Sequence, residues 1–184
     1  MMKALLKVPS FRASHSVIVL SFIFSALSWG ALNGDRRETF KSLEINVGTA
    51  IPASNSFAKK DPHYALGVGY SWDLETAFIE ARFDFINRFS KPSQNYTAFT
   101  LGGNYVFLEG EVFSAYAGAN FGLGFVKVSG VDGKGGFHIG GDMGALFLKD
   151  ADVNLDLRMR MFYNTAQLLN SHPFMFAFLV GLRF

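Results

Sequence analysis

The chain has 184 residues, enough for one ordinary domain, with 49% apolar and only 17% charged residues, against the quarter charged that is usual in soluble domains. Phe occurs 21 times, Gly 19 times and Cys not at all, a mixture poor for helices that excludes disulfides, thiolate metal sites and an acylated lipoprotein anchor. The formal charge of +2 includes Lys3, Lys7 and Arg12 and no acid before residue 31, so the remainder carries 2 − 3 = −1 and gives no argument for nucleic-acid binding.

Those three cations precede the apolar run Val17–Leu27, and small residues follow at Ser28 and Gly30. The pattern predicts a cleaved secretory signal over 1–30, because the eleven-residue run falls short of the roughly 17–25 that a spanning helix needs. Residues 31–41 read as a polar periplasmic leader without periodicity. From residue 42 alternation scarcely stops, and it predicts eight strands at 42–51, 63–72, 76–88, 96–107, 112–127, 137–148, 152–163 and 174–184. Long polar connections ("PASNSFAKKDP", "FSKPSQN", "SGVDGKGG", "NTAQLLNSHP") follow the odd strands and short turns ("DLE", "LEGE", "KDA") the even ones. Both ends of this sheet and its short turns therefore share one side, as in outer-membrane barrels with tight periplasmic turns and longer outer loops. The even strand number lets an all-β, antiparallel, up-and-down sheet close on itself, and each strand is long enough to cross the hydrocarbon.

Periodicity alone fits a soluble lipocalin-like barrel equally well, with the faces inverted and an apolar ligand inside. The side chains break the tie. In "VNLDLRMRMFYN" (153–164), Asp156, Arg158 and Arg160 share one parity, and Val153, Leu155, Leu157, Met159, Met161 and Tyr163 share the other. The polar parity is otherwise mostly small, with Ala65, Gly67, Gly69 and Ser71 in strand two and Gly118, Asn120, Gly122 and Gly124 in strand five. Small groups suit a crowded lumen. Strand-centre charges are Arg, Asp and Glu, whereas the lysines keep to loops and strand ends, and enclosed ion pairs favour the planar, bidentate Arg. The aromatic residues Phe99, Tyr105, Phe107, Phe137 and Phe147 fit a lipid-facing surface with interfacial girdles.

Strand eight ends "FMFAFLVGLRF", with Phe174, Phe176, Phe178, Val180, Leu182 and Phe184 on one parity. A last Phe behind alternating apolar residues resembles the signal by which outer-membrane assembly machinery recognises its clients. The stretch 42–184, including "YAGANFGLGF" (116–125), is similar to the small eight-stranded outer-membrane barrels, the OmpA transmembrane domain and the OmpX/Ail group. That resemblance implies a monomeric barrel in contact with outer-membrane lipid and lipopolysaccharide, with periplasmic termini. It also implies that Phe176, Phe178, Val180, Leu182 and Phe184 form the assembly signal. No further domain is expected after strand eight, so the peptidoglycan-binding half of OmpA proteins is missing.

The candidates for chemistry are few. "GANFGLGFVK" lacks the third glycine of a dinucleotide fingerprint and runs into a strand, so no cofactor is expected. His63, His138 and His172 lack metal-ligand spacing. Some outer-membrane barrels are hydrolases, and the lipid A deacylases pair a His with a Ser two residues on. Here Gly140 holds that place after His138, so no lipid-modifying enzyme is expected, and His138 reads as a hydrogen-bonded lumen residue. The inward charges are five acids (Glu44, Glu80, Asp84, Asp142, Asp156) and four arginines (Arg82, Arg158, Arg160, Arg183). Strands three and seven stand opposite in a ring of eight, so their charge ladders should meet across the lumen. Asp142 should fall diagonally beside Arg158 or Arg160, and Glu44 should pair with Arg183 at the seam. Near balance of sign predicts an ion-pair plug, where a selective pore would carry one sign in excess.

Overall fold

The computed structural model describes residues 41–57, 60–74, 76–90, 92–110, 112–148 and 153–184. The signal (1–30), the leader up to residue 40, and Lys59, Glu75, Lys91 and Glu111 lie outside the described residues. Eight antiparallel strands run in sequence order around a closed barrel: β1 (Lys41–Pro52), β2 (His63–Leu74), β3 (Ala77–Arg88), β4 (Gln94–Glu109), β5 (Phe113–Val128), β6 (Lys134–Phe147), β7 (Asn154–Asn164) and β8 (Phe174–Arg183). The antiparallel β1–β8 ladder closes the ring, with Glu44 opposite Arg183, Val47 opposite Val180 and Ile51 opposite Phe176. Backbone bonds between Leu43 and Phe184 extend that seam in both directions.

The strands fall within a few residues of their sequence-based limits, and the differences have local causes. β6 begins at Lys134, three residues early, because Gly135 and Gly136 pair with Phe125 and Gly124. Two adjacent glycines read as loop, since they have low strand propensity. A side chain at Gly136 would collide with Asn164 and Ala166, so the glycine is what lets the β7–β8 connection fold over this edge. Lys134 is therefore a strand residue, not a loop residue as its sequence context suggested. β4 starts two residues early, at Gln94, and carries a bulge between Val106 and Leu108. The extra residue, Phe107, puts two consecutive apolar side chains, Phe107 and Leu108, on the outer face.

Burial follows strand parity. The outer face carries Val47, Leu66, Val68, Phe83, Phe99, Phe121, Leu123, Ile139, Phe178 and Val180, all exposed. The inner face buries the charges. The soluble alternative needed the apolar parity inside, and this polarity is the reverse. Inside, the filling changes along the axis. Toward the short turns it is ionic. Toward the long connections it is an apolar cluster of Ala50, Ala65, Ile86, Ala98, Val126, Val128, Phe162, Met175, Ala177 and Leu179. Phe57 and Leu168, from the β1–β2 and β7–β8 connections, complete that cluster, each under 5% exposed.

Candidate functional site

Arg158 sits at the centre of the ionic half. Its Nη1 donates to Glu80 Oε1 of β3 at 2.8 Å across the lumen, and its Nη2 donates to Glu44 Oε2 of β1 at 2.9 Å and to Asp156 Oδ2 at 2.8 Å. Its Nε donates to the Tyr116 hydroxyl at 2.7 Å, and that hydroxyl donates in turn to Asp156 at 2.8 Å. All three nitrogens of one guanidinium thus hold partners, on three strands besides its own, the planar multidentate geometry that suits Arg. An eight-stranded interior is narrow enough for such side chains to meet.

Arg82 donates to Asp84 at 2.9 Å and to Glu44 and Glu80 at 3.0 Å each. Gly67 makes this possible, since a side chain there would strike the Arg82 guanidinium and the Asn46 amide. Arg160 reaches across to Asp84 at 3.1 Å and donates to Thr100 at 2.8 Å. Asp142 is its direct cross-strand partner, not a diagonal one, with 3.4 Å between Asp142 Oδ1 and Arg160 Nε. The β6–β7 register aligns these two residues squarely. At the seam Arg183 lies 3.6 Å from Glu44, 3.8 Å from Asp156 and 3.4 Å from Asp73, with its guanidinium 4.5 Å above the Phe78 ring.

The nine charged residues singled out from sequence occupy one continuous network. Sequence reasoning missed three contributors. By sequence Asp73 reads as a turn residue, yet it belongs to β2 on the parity of Ser71. Tyr116 and Thr100 share the inward parity of their strands, but as uncharged side chains they do not stand out in the sequence. Arg88 also shares the parity of Arg82, but it lies apart at the loop rim, with its Nη2 donating to Asp61 at 2.9 Å.

A polar belt separates the ionic and apolar halves. The Tyr96 hydroxyl lies 2.7 Å from His138 Nδ1, and His138 Nε2 lies 2.7 Å from Asn120 Oδ1. Asn120 Nδ2 donates to Asp142 Oδ2 at 2.7 Å. Because the Asn120 oxygen accepts, Nε2 carries the proton and Nδ1 accepts from Tyr96. Both ring nitrogens are engaged by neutral groups, the Tyr96 phenol and the Asn120 amide. His63 bonds the Asp61 carbonyl at 2.7 Å, and His172 packs against Tyr163. Among the described residues no group of three or more His, Cys, Asp or Glu side chains is placed to hold a metal ion.

No family model and no curated protein matches the sequence. Solved structures do match the fold. The Neisserial surface protein A (NspA) aligns at a TM-score of 0.66 with 14% identity, covering 78% of this chain and 95% of that one. Ail, the attachment invasion locus protein of Yersinia pestis, in complex with the heparin analogue sucrose octasulfate, aligns at 0.56 with 15% identity, covering 80% and 100%. The N-terminal β-barrel domain of Pseudomonas aeruginosa OprF aligns at 0.52 with 16% identity, again over 80% and 100%. The chain has the fold of the small eight-stranded outer-membrane barrels.

Proposed function

We propose that the protein is an integral protein of the bacterial outer membrane, monomeric, with a structural or surface-interaction role and a sealed lumen. One observation carries this reading: the exposed apolar belt surrounds a core of buried ion pairs, the polarity that a barrel needs in lipid and that no soluble barrel tolerates. The lumen is closed twice, by the Arg–carboxylate network and by the apolar cluster that Phe57 and Leu168 complete. The ionic layer pairs each of its arginines with carboxylates, and the apolar layer interrupts the polar filling toward the long connections. The charges therefore lock the barrel and line no channel, and the engaged His138 supports a non-catalytic role. Two of the structural relatives are named as a surface protein and an attachment protein, and the long-connection end is the part of this barrel that such contacts would use.

Planar-bilayer recording tests the seal. The expected outcome is no large, steady conductance; an ion-selective open pore would defeat the plug. Orientation is tested by trypsin on intact cells, with cuts expected at long connections such as that holding Lys60, and reversed orientation if cuts fall only at short turns. In the outward row of β8, Phe176, Phe178, Val180, Leu182 and Phe184 form the face proposed to engage the assembly machinery.

A further inference from the structure

Methionine is rare and unevenly placed in this chain. It stands at residues 1 and 2 and otherwise only at Met143, Met159, Met161 and Met175. Three of these last four share one patch of the outer face. Met143 of β6 stands directly opposite Met159 of β7, and Met161 follows on the same parity, opposite Gly141. They are 54%, 38% and 38% exposed, whereas Met175 lies wholly buried in the apolar layer of the lumen. The other exposed large apolar side chains among the described residues are Leu, Ile, Val, Phe, Tyr and Trp. Those types meet a lipid-facing position that needs only apolar bulk. Three adjacent thioethers add something that hydrocarbon lacks, a polarizable sulfur that can be oxidised.

The patch is deep in the belt and open. Met159 is the sixth of the eleven residues of β7, so it and its partner Met143 meet the middle of the hydrocarbon. Toward β5 the surface is low, with Ala117 opposite Met143 and Ala119 opposite Gly141. The Met161 methyl lies 3.7 Å from where a side chain at Gly141 would begin. Toward β8, Phe178 stands opposite Met159 and Phe176 opposite Met161. The thioethers therefore border a shallow floor of small residues, and a reagent that reaches them there has to be dissolved in the membrane.

We propose that Met143, Met159 and Met161 form an oxygen-accepting patch for organic hydroperoxides dissolved in the outer membrane. The proposal rests on the outer-membrane reading above. In each event a sulfur lone pair attacks the terminal oxygen of the O–O bond. An S–O bond forms, the O–O bond breaks, and the hydroperoxide's hydrogen passes to the departing alkoxide oxygen. The sulfur is oxidised by two electrons to a sulfoxide, and the hydroperoxide is reduced to its alcohol. No other reagent is consumed. The polar sulfoxides form on the face opposite the buried Arg158 and Arg160, so the ionic layer is left intact.

The test uses the whole barrel refolded into vesicles of a saturated phosphatidylcholine, a lipid without oxidisable double bonds. Cumene hydroperoxide is the membrane-dissolved probe, and peroxymonosulfate is an anion that hydrocarbon excludes. Peptide mass spectrometry reads the oxygen gained at each methionine. With cumene hydroperoxide Met143 should oxidise first and Met159 and Met161 next. Met175 should be at least about tenfold slower, because it is reached only when the barrel opens. Peroxymonosulfate, dosed to oxidise free methionine at the same rate, should oxidise the patch about tenfold less. The triple variant Met143→Leu, Met159→Leu, Met161→Leu conserves bulk and apolarity, so it should fold. Its consumption of cumene hydroperoxide should fall to the slow rate of Met175 alone. Oxidation of Met175 as fast as the patch, equal oxidation of the patch by the anion, or undiminished consumption by the triple variant would each overturn the proposal. Failure of the wild type to insert into vesicles with heat-dependent gel migration would instead defeat the outer-membrane reading.

Discussion

Toward the short turns the lumen is held by pairs that reach across it, such as Arg158–Glu80 at 2.8 Å, while toward the long connections Phe57, Ile86, Phe162, Leu168 and Met175 fill it with no charge among them. Both halves are buried, both are built from the same strand parity, and both exclude an open channel. They differ in how they fail. A buried ion network is stable only while every member keeps its partners, because the desolvation cost of each charge is offset by its neighbours. An apolar layer loses a side chain's burial and gains a cavity, and the surroundings relax into part of it.

The largest effect is therefore expected in the ionic half. Arg158→Ala removes four bonds and leaves Asp156 with Tyr116 and the distant Arg183 alone. It should cost about 3–5 kcal/mol, the range for stranding a buried charge. Urea unfolding in lipid vesicles measures it, with the slope of the transition showing whether the two-state form survives. Replacing both charges, as in Arg158→Met with Asp156→Leu, should recover part of that loss. A single variant no weaker than wild type would mean that water, not protein, satisfies these carboxylates.

How legible the two halves were follows from the same contrast. Asp156, Arg158 and Arg160 stand out in an apolar segment, so parity alone assigned them inward and strand order alone set them opposite Glu80 and Asp84. Inward apolar residues such as Ile86, Phe162 and Met175 give no such signal, because near the loop ends of β3 and β7 and along most of β8 both parities are apolar and the alternation fades. Phe57 and Leu168 lie in connections without any period. Nothing local marks them as core, and only the closed barrel puts them in its mouth. Asp73 escapes notice for a related reason: beside a turn, a carboxylate reads as solvent-exposed until β8, one strand beyond β1, supplies Arg183.

Leu168→Ala probes the apolar half. Leu168 is 1% exposed and belongs to a connection tied back by its paired backbone bonds with Ser171. Large-to-small changes at such sites cost about 2–5 kcal/mol, and a loop that can settle inward puts this one near the lower limit. The β7–β8 connection should also loosen, which faster amide exchange at Leu168 and Ser171 would reveal. Unchanged exchange there, with unchanged stability, would show that the mouth is closed by the strands and not by its cap.

Tyr96→Phe acts at the boundary and should have the smallest effect. The ring stays, packed edge-on to Phe162 with centroids 5.8 Å apart, so no cavity forms. What goes is one hydroxyl, the donor to His138 Nδ1, and with it the acceptor that Asn164 Nδ2 approaches at 3.5 Å. A single neutral hydrogen bond contributes about 1 kcal/mol net, and an abandoned buried acceptor adds a similar amount unless it finds another partner. His138 keeps its bond to Asn120, and Asn120 keeps Asp142, so the chain that leads into the ionic half remains intact below the break. The loss should accordingly stay near 1–2 kcal/mol and add to that of Arg158→Ala, because the two sites share no direct partner. A double variant settles the point. Additive losses make the belt a true divide between two independent layers, whereas a coupling of more than about 0.5 kcal/mol would make the lumen one cooperative network from cap to turns.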